Sequence, residues 1–229
     1  MSAVTVTLED GLALVHLDDG RANALSHEVL DGLGAALDRA EAESATAIVM
    51  TGRPGRFCAG FDLSVMTASP HDCRVLVEKG AHVFLRLVEF GRPVVVACTG
   101  HALAAGAVWL SCVDWRVGAD IDAKIGLNEV AIGMPLPIFA VEMARERLSK
   151  RHFLTATAHA RIFSPREAVD AGWLDEVVAP DVLVATAKKK AAELGALNEH
   201  AYRVTKRLAQ LATIRHIRDT LEEDMDKIG

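Results

Sequence analysis

The segment P-V-V-V-A-C-T-G-H-A-L-A-A-G-A-V-W-L-S-C-V, Pro93 to Val113, contains no aspartate, glutamate, lysine or arginine. Its length alone would admit a membrane span, which takes about 20 apolar residues. The internal pattern argues against one. Val94 to Val96 form a β-branched burst, Gly100 breaks the run, and a fresh helical pattern starts near Ala105. A buried strand, a small-residue turn and a buried helix account for that order, since β-branched side chains suit strands and glycine punctuates regular structure. The expected class is α/β, with no membrane span.

Outward from this segment, strands and helices alternate. Val4, Val6 and Leu8 alternate with threonines, and Gly11 precedes Ala13 to Leu17, which predicts a two-stranded hairpin. Ser26 is placed to cap a helix carrying Val29, Leu30, Leu33, Ala36, Leu37 and Ala40 at helical spacing, with Glu28 in its first turn. Ala47 to Thr51 reads as a strand, a glycine-, arginine- and proline-rich loop runs to Asp62, and Leu76, Gly80, Phe84 and Leu87 mark another helix. Beyond Gly126 helix dominates. Ser149 and Ser164 are candidate caps, Pro165 suits a first helical position, and Gly172 suits a helix end. A strand at Glu176 to Val178 is followed by three expected helical stretches over Val182 to Ile228, so residues 1–180 read as the core and 181–229 as a C-terminal helical region.

Composition narrows the function. A chain of 229 residues that is 51% apolar can bury a sizeable core. The net charge of −6 gives no general attraction for nucleic acid. Cys58, Cys73, Cys98 and Cys112 show no C-x-x-C spacing and no basic leader precedes the first strand, so a reduced, cytoplasmic protein without a metal site is expected.

Two turns and one acid carry the candidate chemistry. In R-F-C-A-G-F-D-L, Arg56 to Leu63, Gly60 permits a sharp turn that leaves the Phe61 amide unpaired by the sheet. In A-L-A-A-G-A, Ala102 to Ala107, small residues open a helix whose first N–H groups have no partner within it, and such amides stabilise an oxyanion without a charged side chain. Each turn by itself is equally a tightly packed corner. Glu129, in I-G-L-N-E-V-A-I-G from Ile125 to Gly133, has apolar neighbours in Leu127, Val130, Ile132 and Met134; apolar surroundings raise a carboxyl pKa and suit it to proton transfer near neutral pH. His101, Asp62, Asp114 and Asp120 read as structural residues.

Several further segments occur in a characteristic order: N-A-L at Asn23 to Leu25, I-V-M-T-G at Ile48 to Gly52, F-C-A-G-F-D-L at Phe57 to Leu63, C-V-D-W-R at Cys112 to Arg116, and F-S-P-R-E-A-V-D-A-G-W-L-D-E-V-V at Phe163 to Val178. With Pro93 to Gly106 and I-G-L-N-E, they resemble the crotonase superfamily, the enoyl-CoA hydratase/isomerase family, from Val4 to about Leu211. The resemblance implies a crotonase (ClpP-like) spiral of β-β-α units, a C-terminal helical trimerisation region, trimers that pair into hexamers, and an acyl-CoA thioester as ligand with no separate cofactor.

By position, the resemblance makes the N–H groups of Phe61 and Ala105 the oxyanion donors and Glu129 the acid/base. It assigns substrate or CoA contacts to Arg21, Ala22, Ala59, Gly60, Asp62, Leu63, Gly106, Val108 and Lys206. Similar hydratases place one of two glutamates where this chain has Val108, which cannot hold or move a proton. The context I-G-L-N-E is most similar to single-glutamate enoyl-CoA isomerases. Two readings stay open beside an isomerase: a weak hydratase using Glu129 alone, and a catalytically inactive acyl-CoA binder. The second is prompted by Ala104 and Ala105 where relatives often have glycine, and by M-P-L-P at Met134 to Pro137.

Overall fold

The computed structural model describes residues 2–227. The N-terminal hairpin pairs β1 (Val4–Glu9) antiparallel with β2 (Leu12–Leu17). Ser26 then caps α1 (His27–Ala42) by accepting from the Val29 N–H, and the apolar stripe read from the sequence is the face that α1 buries.

Three successive turns of chain now repeat one plan. Each sends one strand into a large sheet, the next strand into a small sheet, and then a helix, of which α4 in the second turn is wholly buried. The first turn is β3 (Ala47–Gly52), β4 (Gly55–Cys58), the single-turn α2 (Leu63–Met66) and α3 (Pro70–Glu89). The second is β5 (Val94–Cys98), β6 (Gly100–Leu103) and α4 (Ala105–Ser111), and the third is β7 (Trp115–Ala119), β8 (Ile125–Gly126) and α5 (Ile138–Arg147). A single-turn α6 (Phe153–Ala156), α7 (Pro165–Ala171), β9 (Glu176–Val178), α8 (Leu183–Gly195) and α9 (Glu199–Met225) complete the chain. The six-stranded sheet has the order β1-β2-β3-β5-β7-β9 and the three-stranded sheet β4-β6-β8, every pairing after the hairpin being parallel. This is the expected spiral.

Both faces of the large sheet are covered, which explains why β5 is apolar throughout. On one side Val49, Val95, Ala97, Val117 and Ala119 pack against Leu183, Ala187 and Ala191 of α8. The other side joins the main core with α1, α3, α4 and α5. The run from Pro93 to Val113 is thus divided among two strands and a helix, and no helix among the described residues is long and apolar enough to cross a membrane.

The structure corrects several details. The loop expected between Thr51 and Asp62 contains β4, and Gly100 begins β6 instead of a plain turn. These strands were missed because they are only four residues each and show no clean alternation. Ser164 caps α7 through a capping box and Gly172 ends it at φ +100°, as read, but α6 is preceded by His152, with Ser149 hydrogen-bonded to its ring. The C-terminal region holds two helices where three were expected, because Asn198 caps α9 and the helix continues unbroken to Met225. Ile228, the expected end, lies outside the described residues.

Candidate active site

The small sheet assembles the site. Cys58 pairs with Ala102, Ala102 with Ile125, and Leu103 with Gly126, so β4, β6 and β8 end side by side and release their loops at one edge. Those three loops carry Phe61, Ala105 and Glu129.

The first donor is aimed by hydrogen bonds on the other side of its peptide. Leu25 N–H donates to Gly60 O at 2.8 Å, and Asp62 N–H donates to Leu25 O at 3.2 Å. In a trans peptide the C=O and N–H point in opposite directions, so tying Gly60 O to Leu25 turns the Phe61 N–H away from it. Among the described residues that N–H has no acceptor, and neither has the N–H of Ala105. The two corners touch: a β-carbon on Gly60, whose φ is +99°, would lie 2.8 Å from Ala104 Cβ and 3.5 Å from Ala105 N.

Ala104 sets the second donor. Its φ of +53° with ψ of −128° is a conformation that alanine adopts at a cost of about 1–2 kcal/mol. Three hydrogen bonds hold it there. Its N–H donates to Gly126 O at 3.0 Å, and its carbonyl accepts from Ala107 and Val108 at 2.8 and 3.1 Å. The corner at Ala104 therefore keeps the shape for which glycine is usually used, and the bond to Gly126 ties it to the strand leading to Glu129.

Glu129 opens a 3-10 turn, Val130–Ile132, and its carbonyl accepts from Ile132 and Met134 at 3.0 and 2.9 Å. With its main chain fixed, the side chain is mostly buried. Oε2 is buried and has no hydrogen-bond partner among the described residues. Burial pushes its carboxyl above the usual range, although the N–H groups of Glu129 and Asn128 pull the other way. Its surroundings differ from the sequence expectation: Leu127 is buried, but Val130 and Ile132 are 43% and 60% exposed and Met134 is half-buried. Val130 and Ile132 are carried outward by the 3-10 turn that Glu129 opens, three residues beyond the end of β8 at Gly126. Val108, one turn into α4 from Ala105, is fully buried. Two further ionisable side chains are engaged elsewhere: the Glu142 carboxylate pairs with Arg145, and Nδ1 of His101, in β6, accepts from Lys124 N–H.

The remaining positions separate by location. Gly106 is packed so closely that a β-carbon would lie 2.3 Å from Cys58 O. Asp62 caps α2 by accepting from Ser64 N–H at 2.9 Å, while Leu63 beside it is 68% exposed. Ala59 and Arg21 are exposed and Ala22 is half-buried, with Arg53 donating to the Arg21 carbonyl. Lys206 is not brought to this cluster within the protomer. Its Nζ lies 2.7 Å from Asp114 Oδ2, both side chains are about a tenth exposed or less (7% and 11%), and the same oxygen accepts from Val94 N–H. Asp114 follows the far end of α4, so it clamps α9 to the sheet and does more than occupy a turn.

Asn23 is the residue whose role the sequence concealed. It is fully buried at φ +56°, and its Nδ2 donates to the carbonyls of Leu17, Arg56 and Phe57 at 2.9, 3.1 and 3.2 Å. Asp19 braces the same loop by accepting from the N–H groups of Arg21, Asn23 and Ala24. Partial burial raises the Asp19 pKa, but those N–H groups and Arg53 outweigh it and hold the carboxyl below its ordinary value. Together they place Leu25 where it orients the Phe61 peptide. A tolerance of asparagine for left-handed backbone was the available signal.

The family model for enoyl-CoA hydratase/isomerase matches residues 7–226. The chain belongs to this family. It is 30% identical over 219 residues to mouse (Mus musculus) mitochondrial enoyl-CoA delta isomerase 1, covering 94% of this chain and 76% of that protein. It is 31% identical to a probable enoyl-CoA hydratase of Bacillus subtilis over 75% of this chain and 67% of the other. The crystal structure of an enoyl-CoA hydratase/isomerase family protein from Pseudomonas syringae superposes with a TM-score of 0.97 at 37% identity, covering 99% and 98% of the two chains.

Two outcomes follow from the loop geometry of this family member. Asn23→Ala should lower the unfolding free energy by about 2–3 kcal/mol in urea titration, because buried carbonyls lose their donor; a loss under about 0.5 kcal/mol would contradict the bracing role. Ala104→Gly should raise stability by about 1 kcal/mol through relief of backbone strain, and a lower melting temperature would count against it.

Proposed function

We propose that this protein is an enoyl-CoA isomerase that moves a beta-gamma double bond of an acyl-CoA thioester into conjugation, with Glu129 as its single acid/base. The observation that carries this reading is one buried carboxylate oxygen without a partner among the described residues, Glu129 Oε2, while the neighbouring helix offers the aliphatic Val108 instead of a second acid.

In this reading Glu129 removes a proton from the alpha carbon. The electron pair of that C–H bond moves into the thioester, and the resulting enolate oxygen accepts from the N–H groups of Phe61 and Ala105. Removing one such donor in comparable sites costs on the order of 3 kcal/mol of barrier. Collapse of the dienolate forms the alpha-beta double bond as the gamma carbon takes the proton back from Glu129, so the base ends as it began. Hydration would need water both positioned and deprotonated, work that a valine cannot share.

Two further supports bear on the alternatives. Ala104 holds the turn that glycine would hold, which removes one reason to regard the protein as an inactive binder. The C-terminal region leaves Val204 and Leu208 of α9 exposed, in keeping with assembly as a trimer or a pair of trimers. No cofactor beyond the CoA of the substrate is required.

Glu129→Gln should abolish conversion of a beta-gamma enoyl-CoA, followed as conjugated thioester absorbance, while saturated acyl-CoA still binds. Full turnover by that variant would sink the assignment, and hydration outpacing isomerisation in the wild type would replace it with the hydratase reading. The base must be ionised, and burial raises its pKa, so kcat/KM should fall with decreasing pH through an inflection above the ordinary carboxylate range. An inflection at or below that range would contradict the buried-base account.

A further inference from the structure

Phe61 is held from two sides. Its main chain is bracketed by the two hydrogen bonds with Leu25, and its ring rests on α3 at the buried Gly80. A β-carbon on Gly80 would stand 2.4 Å from both Cε1 and Cζ of that ring, far inside contact distance. Phe84, one turn along α3, bounds the same seat with its ring centroid 6.5 Å from that of Phe61.

Glycine needs a reason in the middle of a 20-residue helix, since only proline is a poorer helix former. Backbone conformation is not the reason, because Gly80 is helical and has no positive φ. Space for the ring is what remains. We propose that Gly80 is a positioning residue for the oxyanion donor at Phe61: its missing side chain leaves a notch that seats the ring, and the seated ring fixes the direction of the Phe61 N–H. The inference rests on the reading of that N–H as a thioester partner. The Gly60–Phe61 peptide is anchored through the bond from Leu25 N–H to Gly60 O, so a push on the ring, passed to the Phe61 Cα, tilts the N–H about that anchor.

The test compares Gly80→Ala with Gly34→Ala and with the double variant Gly80→Ala/Phe61→Leu. Gly34 serves as the control because it is also helical and a β-carbon there meets nothing within 4 Å. A leucine at 61 keeps the N–H but lacks the outer ring atoms that a methyl at 80 would strike. Each protein is mixed with saturated acyl-CoA carrying a 13C-labelled thioester carbonyl, and the carbonyl stretch is read by difference infrared spectroscopy beside the Kd, kcat and KM. The expected result for Gly80→Ala is a loss of most of the binding-induced downshift and a roughly 10- to 100-fold lower kcat, as a small misplacement produces, with Kd and KM nearly unchanged. Gly34→Ala should leave the spectrum and kcat alone, and the double variant should recover at least half of the lost downshift.

An unshifted kcat and carbonyl stretch in Gly80→Ala would overturn the proposal, as would a loss that persists unrelieved in the double variant. If Gly80→Ala fails to fold, a double variant that folds and shows the downshift supports the notch, and one that also fails to fold refutes it. A wild type that shifts the carbonyl yet turns over no enoyl isomer would refute the isomerase reading while leaving the role of Gly80 to the spectra.

Discussion

The candidate site depends on two peptide N–H groups that have no acceptors among the described residues and are aimed by bonds made behind them. Leaving such groups unpaired costs stability, and the fold meets that cost by satisfying the opposite ends of the same peptides: Gly60 O by Leu25, and Ala104 O by the first turn of α4. Neither arrangement stands alone. Leu25 is placed by the loop that Asn23 and Asp19 brace, Ala104 is tied to β8, and the three paired strands of the small sheet release the loops side by side. The spiral supplies that sheet, because every turn adds one short parallel strand to it and places a loop beside the last.

The acid obeys the same logic in electrostatic form. A carboxylate is costly to bury, and Glu129 has one oxygen with no partner among the described residues, so burial works against its ionised form in the folded protein. The sign of the linkage is definite. A folded-state pKa above the unfolded one means that the protonated form folds best, so the penalty is absent below the unfolded pKa and grows as pH rises through the raised folded value. A base chosen for stability alone would be paired or solvated. In contrast, Lys206 and Asp114 show what a structural ion pair looks like here: each nearly buried charge has a direct partner, and burial still lowers the Lys206 pKa.

Much of this was legible in the sequence, for stated reasons. The segment from Pro93 to Leu110 announced a strand, a break and a helix because β-branched and small residues differ so sharply in backbone preference. Ser26, Ser164 and Gly172 marked helix ends because their side-chain and backbone chemistry is local. What stayed hidden was non-local. β4 and β6 are too short to show a period, the outward turn of Val130 and Ile132 depends on where the strand stops, and Asn23 acts on carbonyls more than thirty residues away at Arg56 and Phe57. The pairing of Lys206 was hidden for the same reason, because a single cationic side chain on a helix carries no sign of the aspartate it meets 92 positions earlier in the chain.

The central claim is that one shielded carboxyl group both takes and returns the proton. Its most direct test is an isomerisation in ordinary water of a beta-gamma enoyl-CoA deuterated at the alpha carbon, with the product examined by mass spectrometry and NMR. A single base with a buried oxygen predicts that part of the deuterium reappears at the gamma carbon of the conjugated product. Complete loss of label to solvent, accompanied by a 3-hydroxyacyl product, would contradict it.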